Sequence, residues 1–463
     1  VDQDRRPDPR SHLPLLLAHL RTRSLVNIDQ AEVSRLERGQ KKIRDRRQLA
    51  QWGEALGIPS DLMRPLPAAE RPETGSDGVN GYLPLSDGPG QVLLPAGRNL
   101  PLTALPALAA PAITFRGNSL WLASTRELEA WTRMPQRALV IASRVIDGRH
   151  RHFAADARGA VSRTPSADTI AVPAAYELDD LTYGILWAVA GFDSALLGDD
   201  AALHDLLDVE PKELLRAGAQ RALRDDLTDG AQMLIGSQTC ASFILQQRHN
   251  LGDRPVFWTR EQKGEEAATW LFFRHKLRYL QLLSPGNTDS GVGRAFCIPQ
   301  QAVDPSPTYE RVLLFLAIAL MESYGVTTWV TEEPDLEQTD GFVLAPGHRA
   351  AIATWVRTEA VPRAVVTAGP RVLRSFADAT GFAKTHTVTP GPTPGVRLAA
   401  TADYLGLDRT WLMRRCRQLA VEGTVGLARP RSRHLGVEAL DTACGYAAAQ
   451  LQPGAGAVPS TNR

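Results

Sequence analysis

The sequence predicts a mainly α fold with an α+β middle region: an N-terminal helical hairpin, a large helical and mixed domain, and a C-terminal helical basic segment. Three observations carry this. Apolar residues recur at helical spacing through residues 28–56, 179–283, 309–324 and 396–419. Short β-rich runs bounded by Gly, Asp and Pro cluster at 138–172 and 326–356. Between the first hairpin and everything else lies RPLPAAERPETGSDGVNGYLPLSDGPG, whose composition cannot build a packed core. At 463 residues the chain exceeds what one core normally serves. The expected divisions are residues 1–64, a linker at 65–90, a middle domain at 91–390, and a C-terminal segment at 391–463 with a disordered tail.

Within the first division, Val33 and Leu36 lie three apart, as do Leu49 and Trp52, with Leu56 a turn further on. That spacing predicts two short amphipathic helices with Gly39 between them. Their loop carries Arg35, Arg38, Lys41, Lys42, Arg44, Arg46 and Arg47 against only Glu37 and Asp45. Such a loop calls for an anionic partner.

The run Gln30, Val33, Ser34, Arg35, Glu37, Gly39 resembles the recognition helix of Xre-type helix-turn-helix domains, the family of the lambda repressor and Cro. The resemblance covers roughly residues 13–63 and implies a sequence-specific DNA-binding regulator. Gln30 would then read a base, Ser34 and Arg35 would reach base or phosphate from the next turn, Lys41, Lys42, Arg44, Arg46 and Arg47 would grip the phosphates, and Asp29 and Arg38 complete the expected DNA-binding set. Physical chemistry is consistent with these roles. Gln makes bidentate contacts to adenine in the major groove, and phosphate contacts set register without reading sequence. The chain departs from the family at two positions counted back from Val33: Asn27 stands at the turn and Arg23 where a small residue belongs. A longer turn through TRSLVN, with 17–18 in the preceding helix, reconciles both, and no first helix is evident in VDQDRRPDPR. In layout the remainder resembles the long regulators of actinobacteria, and Arg far outnumbers Lys, as in GC-rich bacterial genomes.

In the middle domain, LPLTALPALAAPAITF reads as irregular surface chain leading to a short strand, followed by a helix at 125–131. ALVIASRVID, GRHRHFAADARGAV and TIAV read as a small antiparallel sheet. Leu181, Ile185 and Val189 share a helix face, and residues 227–247 and 261–283 carry apolar stripes that would supply a homodimer interface. Residues 309–324, nearly all apolar, form the expected central helix. VTTWVTEE, GFVLAP and AAIATWV are strand-like, the last two joined at PGHR, and a helix follows at 371–381.

At the C-terminus, Ala402 stands four before Gly406, and Leu412 six after it. This is helix-turn-helix spacing: a small residue for close crossing, Gly for the turn, Leu to plug the gap. Leu405, Leu407 and Leu419 complete its expected core. Arg409, Arg414, Arg415 and Arg417 project from the second helix, and Arg429, Arg431 and Arg433 follow in a wing-like tail. Arg414, Arg415 and Arg417 are expected as a second DNA contact, against the plainer reading of a structural hairpin with solvated arginines.

Other chemistry finds little support. The four cysteines are scattered with no CxxC, which argues against a zinc site or disulfide scaffold. His150 and His152 lack a carboxylate or Cys at ligand spacing. SGVGRAF lacks the third glycine of a dinucleotide fingerprint, and GSQTC the second glycine of a nucleophile elbow. Glu265, Glu266, Arg274 and His275 on one long helix read as a solvated face; Trp270, Phe272 and Phe273 read as core. An apolar fraction of 43% and charged fraction of 22% are those of a soluble protein. The expectation is a non-enzymatic transcription regulator of the cytoplasm and nucleoid, with no cofactor or metal and no membrane. It would bind double-stranded DNA as a homodimer and answer to a small-molecule or protein effector. The competing expectations are an interaction module with a degenerate helix-turn-helix and an enzyme hidden in the middle domain.

Overall fold

The structure, a computed structural model, describes residues 88–115, 118–122, 130–133, 137–162, 169–207, 227–252, 254–283, 291–356 and 363–452. The chain divides into two units, Val1–Gly75 and Ser76–Arg463. The first lies outside the described residues, and with it the expected N-terminal hairpin. The second is an α+β unit whose described residues form two six-stranded sheets. The segment from 391 onward belongs to this same unit.

The first sheet comprises β1 (Gly88–Leu94), β2 (Thr103–Phe115), β3 (Asn118–Leu122), β4 (Leu139–Ile146), β5 (Arg149–Asp156) and β6 (Thr169–Val172), ordered β5-β4-β2-β3-β6 with β1 also on β2. The expected β4–β5 hairpin is present, turned by Asp147 and Gly148, both at positive φ. The stretch expected to be irregular is instead the 13-residue strand β2. Its prolines are tolerated because each has one ladder neighbour: Pro106 pairs only with Gln91 of β1, and Pro111 only with Ser143 of β4. A missing N–H can face the open side at such positions. The expected helix at 125–131 falls largely outside the described residues.

From the first sheet the chain runs through α1 (Ala157–Ser162) into α2 (Asp180–Gly198), α3 (Asp200–Leu207) and α4 (Asp229–Gln247). Asp179 starts α2 through a reciprocal capping box with Thr182. Residues 261–283 are two helices, α5 (Gly264–Phe272) and α6 (Arg274–Leu283), rather than the single one expected. Phe273 breaks them: its backbone is extended and bridges to Leu435, which a continuous helix would forbid. Consequently Glu265 and Glu266 are buried rather than solvated, Glu265 accepting from the Arg98 and Asn99 amides at 2.8 and 3.0 Å. The stripes of α4 and α5 are spent inside the chain, with Leu234, Ile235, Leu271 and Phe272 almost inaccessible.

The second sheet comprises β7 (Val256–Thr259), β8 (Gly293–Cys297), β9 (Thr327–Thr331), β10 (Phe342–Ala345), β11 (Arg349–Thr354) and β12 (Arg363–Thr367), ordered β12-β11-β10-β7-β8-β9. Its half from β7 to β9 is parallel and the rest antiparallel. Between β8 and β9 run α7 (Gln300–Val303) and α8 (Thr308–Ser323). The latter is the expected central helix, with Val312 through Met321 buried on every side against α2, α5 and the C-terminal helices. A helix apolar all round can exist only in such a place. After β12 come α9 (Pro370–Thr385), α10 (Pro394–Tyr404), α11 (Arg409–Glu422), α12 (Val425–Ala428) and α13 (Glu438–Gln450). One helix of the described residues, α2, is long and apolar enough to cross a membrane, and 83% of its apolar window is buried inside the protein.

Candidate functional site

The C-terminal hairpin forms as its spacing predicts. Thr393 caps α10 and Pro394 occupies its first turn. Ala402 and Leu412 are fully buried, and Gly406 takes φ +64°, a conformation that disfavours side chains. Asp408 caps α11 by accepting from the Trp411 amide at 2.6 Å. Arg397 on α10 anchors the hairpin to α8, its Nε donating to Glu322 Oε1 at 2.9 Å and its Nη2 to Oε2 at 2.5 Å.

The arginines of α11 divide by helical phase. Arg414 and Arg417 are exposed on the outer face. Arg409 is exposed and ion-paired with Asp403. Arg415 is a correction to the expected basic face: it points inward and is fully buried, with Nε on Asp179 Oδ2 at 2.5 Å and Nη2 on the Glu177 carbonyl at 3.0 Å. It cannot reach DNA, because a residue one position from Arg414 is rotated by about 100° around a helix. Arg431 is also internal. Its Nη2 donates to both Asp156 oxygens at 3.0 and 2.9 Å, and Arg137 binds Asp156 and Asp193 beside it. The expected wing is therefore stitched to the first sheet, leaving Arg429 and Arg433 exposed. Asp29, Gln30, Ser34, Arg35, Arg38, Lys41, Lys42, Arg44, Arg46 and Arg47 lie outside the described residues.

The second site was not anticipated. A cavity of about 60 Å³ lies between α4, α6 and one face of the second sheet. Phe257 and Thr259 of β7, Arg294 of β8 and Ala353 of β11 line it from the sheet, and Cys240, Lys276 and Tyr279 from the helices. Three of the lining side chains are buried charges: Glu261, Lys276 and Arg294, at 5, 3 and 4% exposure. Lys276 Nζ donates to Glu261 Oε1 at 2.8 Å and to Thr269 Oγ1 at 2.7 Å. It also lies 4.1 Å from the ring centre of Trp270 and 4.7 Å from that of Trp355. Glu261 Oε1 additionally accepts from Trp270 Nε1 at 3.2 Å. That carboxylate is committed.

Arg294 has a different standing. Its Nη1 donates to Thr259 Oγ1 at 2.7 Å, and the guanidinium stands 4.6 Å from the Phe257 ring centre and 4.9 Å from that of Trp270. Its Nε has no hydrogen-bond partner, and no carboxylate among the described residues is within ion-pair distance. Burial pushes the Tyr279 phenol up to about 12 and the Cys240 thiol up as well, so both stay neutral. Burial also lowers Lys276, against the pull of Glu261. His275, on the same helix, is driven down to about 3 by burial, then by Lys276 and His434, and holds Ser237 Oγ at 2.8 Å as a neutral ring. That Ser sits in the middle of α4 and no carboxylate among the described residues orients the imidazole, so the pair lacks the third member of a nucleophilic triad.

Trp270, expected as core, is both core and cavity wall. Arg294 was detectable in the sequence as a lone cation inside the apolar run VGRAFCI, yet its opposition to Lys276 depends on β8 lying beside β7. Among the described residues no group of three or more His, Cys, Asp or Glu side chains is arranged to hold a metal. No family model, curated protein or solved structure matches the chain.

Proposed function

We propose that the chain is a sequence-specific DNA-binding transcriptional regulator, in which residues 1–64 carry the reader of the duplex and residues 91–390 form the regulatory domain. The observation that carries this reading is the agreement in type and spacing of Gln30, Val33, Ser34, Arg35, Glu37 and Gly39 with an Xre-type recognition helix, followed at once by the basic loop from Lys41 to Arg47. The exposed Arg414 and Arg417 on the second helix of a helix-turn-helix hairpin support a second duplex contact. The regulator acts as a homodimer on paired half-sites in the cytoplasm and nucleoid, the usual remedy for the modest surface one reader buries.

The test is genome-wide occupancy of the full chain, joined to binding of an enriched fragment across a salt series. A regulator gives a recurring sequence under the peaks and an affinity that falls linearly in log–log form with salt. Absence of both enrichment and salt-dependent binding overturns the reading in favour of an interaction module.

A further inference from the structure

We propose that the cavity around Arg294 is a binding site for a small monocarboxylate with an apolar body. The charges inside the site decide the sign and number. Arg294 and Lys276 bring two positive charges and Glu261 one negative; Glu261 is held by Lys276 at 2.8 Å, and Arg260, which also lines the cavity, has its own carboxylate in Asp340 at 3.9 Å. One positive charge is left, centred on a guanidinium at 4% exposure whose Nε faces no acceptor. An uncompensated ion is costly to bury, and a counter-ion in the same site offsets that cost. A single anionic charge neutralises this site; a dianion would overshoot it.

The shape of the group follows from the donors. A guanidinium offers planar, parallel N–H pairs that match the two oxygens of a carboxylate. The walls set the remainder of the ligand. Phe257, Trp270, Trp355 and Ile244 present apolar surface that a bare inorganic anion would leave uncovered. By the measure in which one water needs about 10–15 Å³, the cavity's volume of about 60 Å³ takes roughly four to six water-sized groups. A carboxylate with a short hydrocarbon body fits that room, and the fit makes no use of the DNA-reading proposal.

Butyrate is the probe, with butyramide and inorganic phosphate as controls. Binding to the full chain is followed by tryptophan fluorescence, since Trp270 and Trp355 line the cavity, and by titration calorimetry. Butyrate is expected to saturate the signal, with butyramide at least tenfold weaker and phosphate weaker still. Arg294→Met is expected to weaken butyrate at least tenfold while its unfolding midpoint stays at or above that of the parent, because an uncompensated buried charge has been removed. Equal binding of butyrate and butyramide overturns the charge argument. Equal binding of phosphate and butyrate overturns the apolar-body argument. Absence of saturable butyrate binding to the folded parent overturns the site, whether or not the Arg294 variant folds.

Discussion

Arg415 Nε donates to Asp179 Oδ2 at 2.5 Å across 236 residues of sequence, inside the protein. The same carboxylate caps α2, its Oδ1 accepting from the Thr182 amide at 3.3 Å. One Asp thus starts a core helix and neutralises a cation from the far end of the chain. Arg415→Ala is expected to destabilise the unit by about 3–5 kcal/mol, since it strands a buried carboxylate. Arg414→Ala, one residue away but exposed, is expected to stay within about 0.5 kcal/mol of the parent. Urea unfolding of both variants checks the contrast, and a mild Arg415→Ala would show that the pair is not closed in solution.

Arg414 and Arg417 remain as the exposed members of the expected duplex contact. The double variant Arg414→Ala/Arg417→Ala is expected to fold normally and to reduce the slope of log affinity against log salt by nearly one unit per lost phosphate contact. Footprinting should shorten with it. An unchanged slope and footprint would leave these arginines as solvated surface.

On the proposed reading, the N-terminal segment separates base reading from phosphate grip. Replacing Lys41, Lys42 and Arg44 together with Ala is expected to weaken binding to all duplexes and flatten the salt dependence. Gln30→Ala is expected to cost about 1–3 kcal/mol at one base position and to spare random DNA. Equal losses on specific and random duplexes for both variants would refute the assignment of Gln30 to the recognition helix.

The turn of the C-terminal hairpin has its own signature. At Gly406, φ is +64° and an added Cβ would lie 2.9 Å from Arg311 Nη1, which itself donates to the Leu405 carbonyl at 2.8 Å. Gly406→Ala is therefore expected to cost about 1–3 kcal/mol. Leu412→Ala, which empties the gap between the two helices, should cost about 2–5 kcal/mol. Thermal unfolding measures each.

Glu310 makes stability depend on pH. Burial, and then the neighbouring Glu265, raise its carboxyl to about 7 from an ordinary 4.5. Between those values the folded state binds the proton and the unfolded state does not, so stability contributed here is complete below pH 4.5 and is lost as pH rises through about 7. Glu310→Gln removes the titration while keeping an acceptor for the Gly264 amide. Unfolding midpoints of the parent should fall relative to this variant between pH 5 and about 8. Parallel pH profiles would show that Glu310 is not proton-linked to folding.

Much of the unit was legible because its signals are local. The all-apolar run around Leu313–Leu320 could only be an interior helix, the turn at Gly347 between two apolar runs could only be a hairpin, and Ala402, Gly406 and Leu412 specify their own crossing. Each depends on residues within a few turns of one another, where side-chain periodicity and backbone sterics decide the outcome. The same local rules misread β2, because whether Pro106 and Pro111 break a strand depends on which sides of it carry neighbours.

By itself, then, the sequence determined where α8, the β10–β11 hairpin and the C-terminal hairpin form, and that cations concentrate at both ends of the chain. Tertiary structure alone decided which cations are available. It turned Arg415 onto Asp179 and Arg431 onto Asp156, left Arg414 and Arg417 outside, and set Arg294 beside the Lys276–Glu261 pair with no carboxylate of its own among the described residues. The physical reason is that a charge costs several kcal/mol to bury unless another charge meets it. Where that partner stands, 236 residues away for Arg415, is a property of the packed chain that no local pattern encodes.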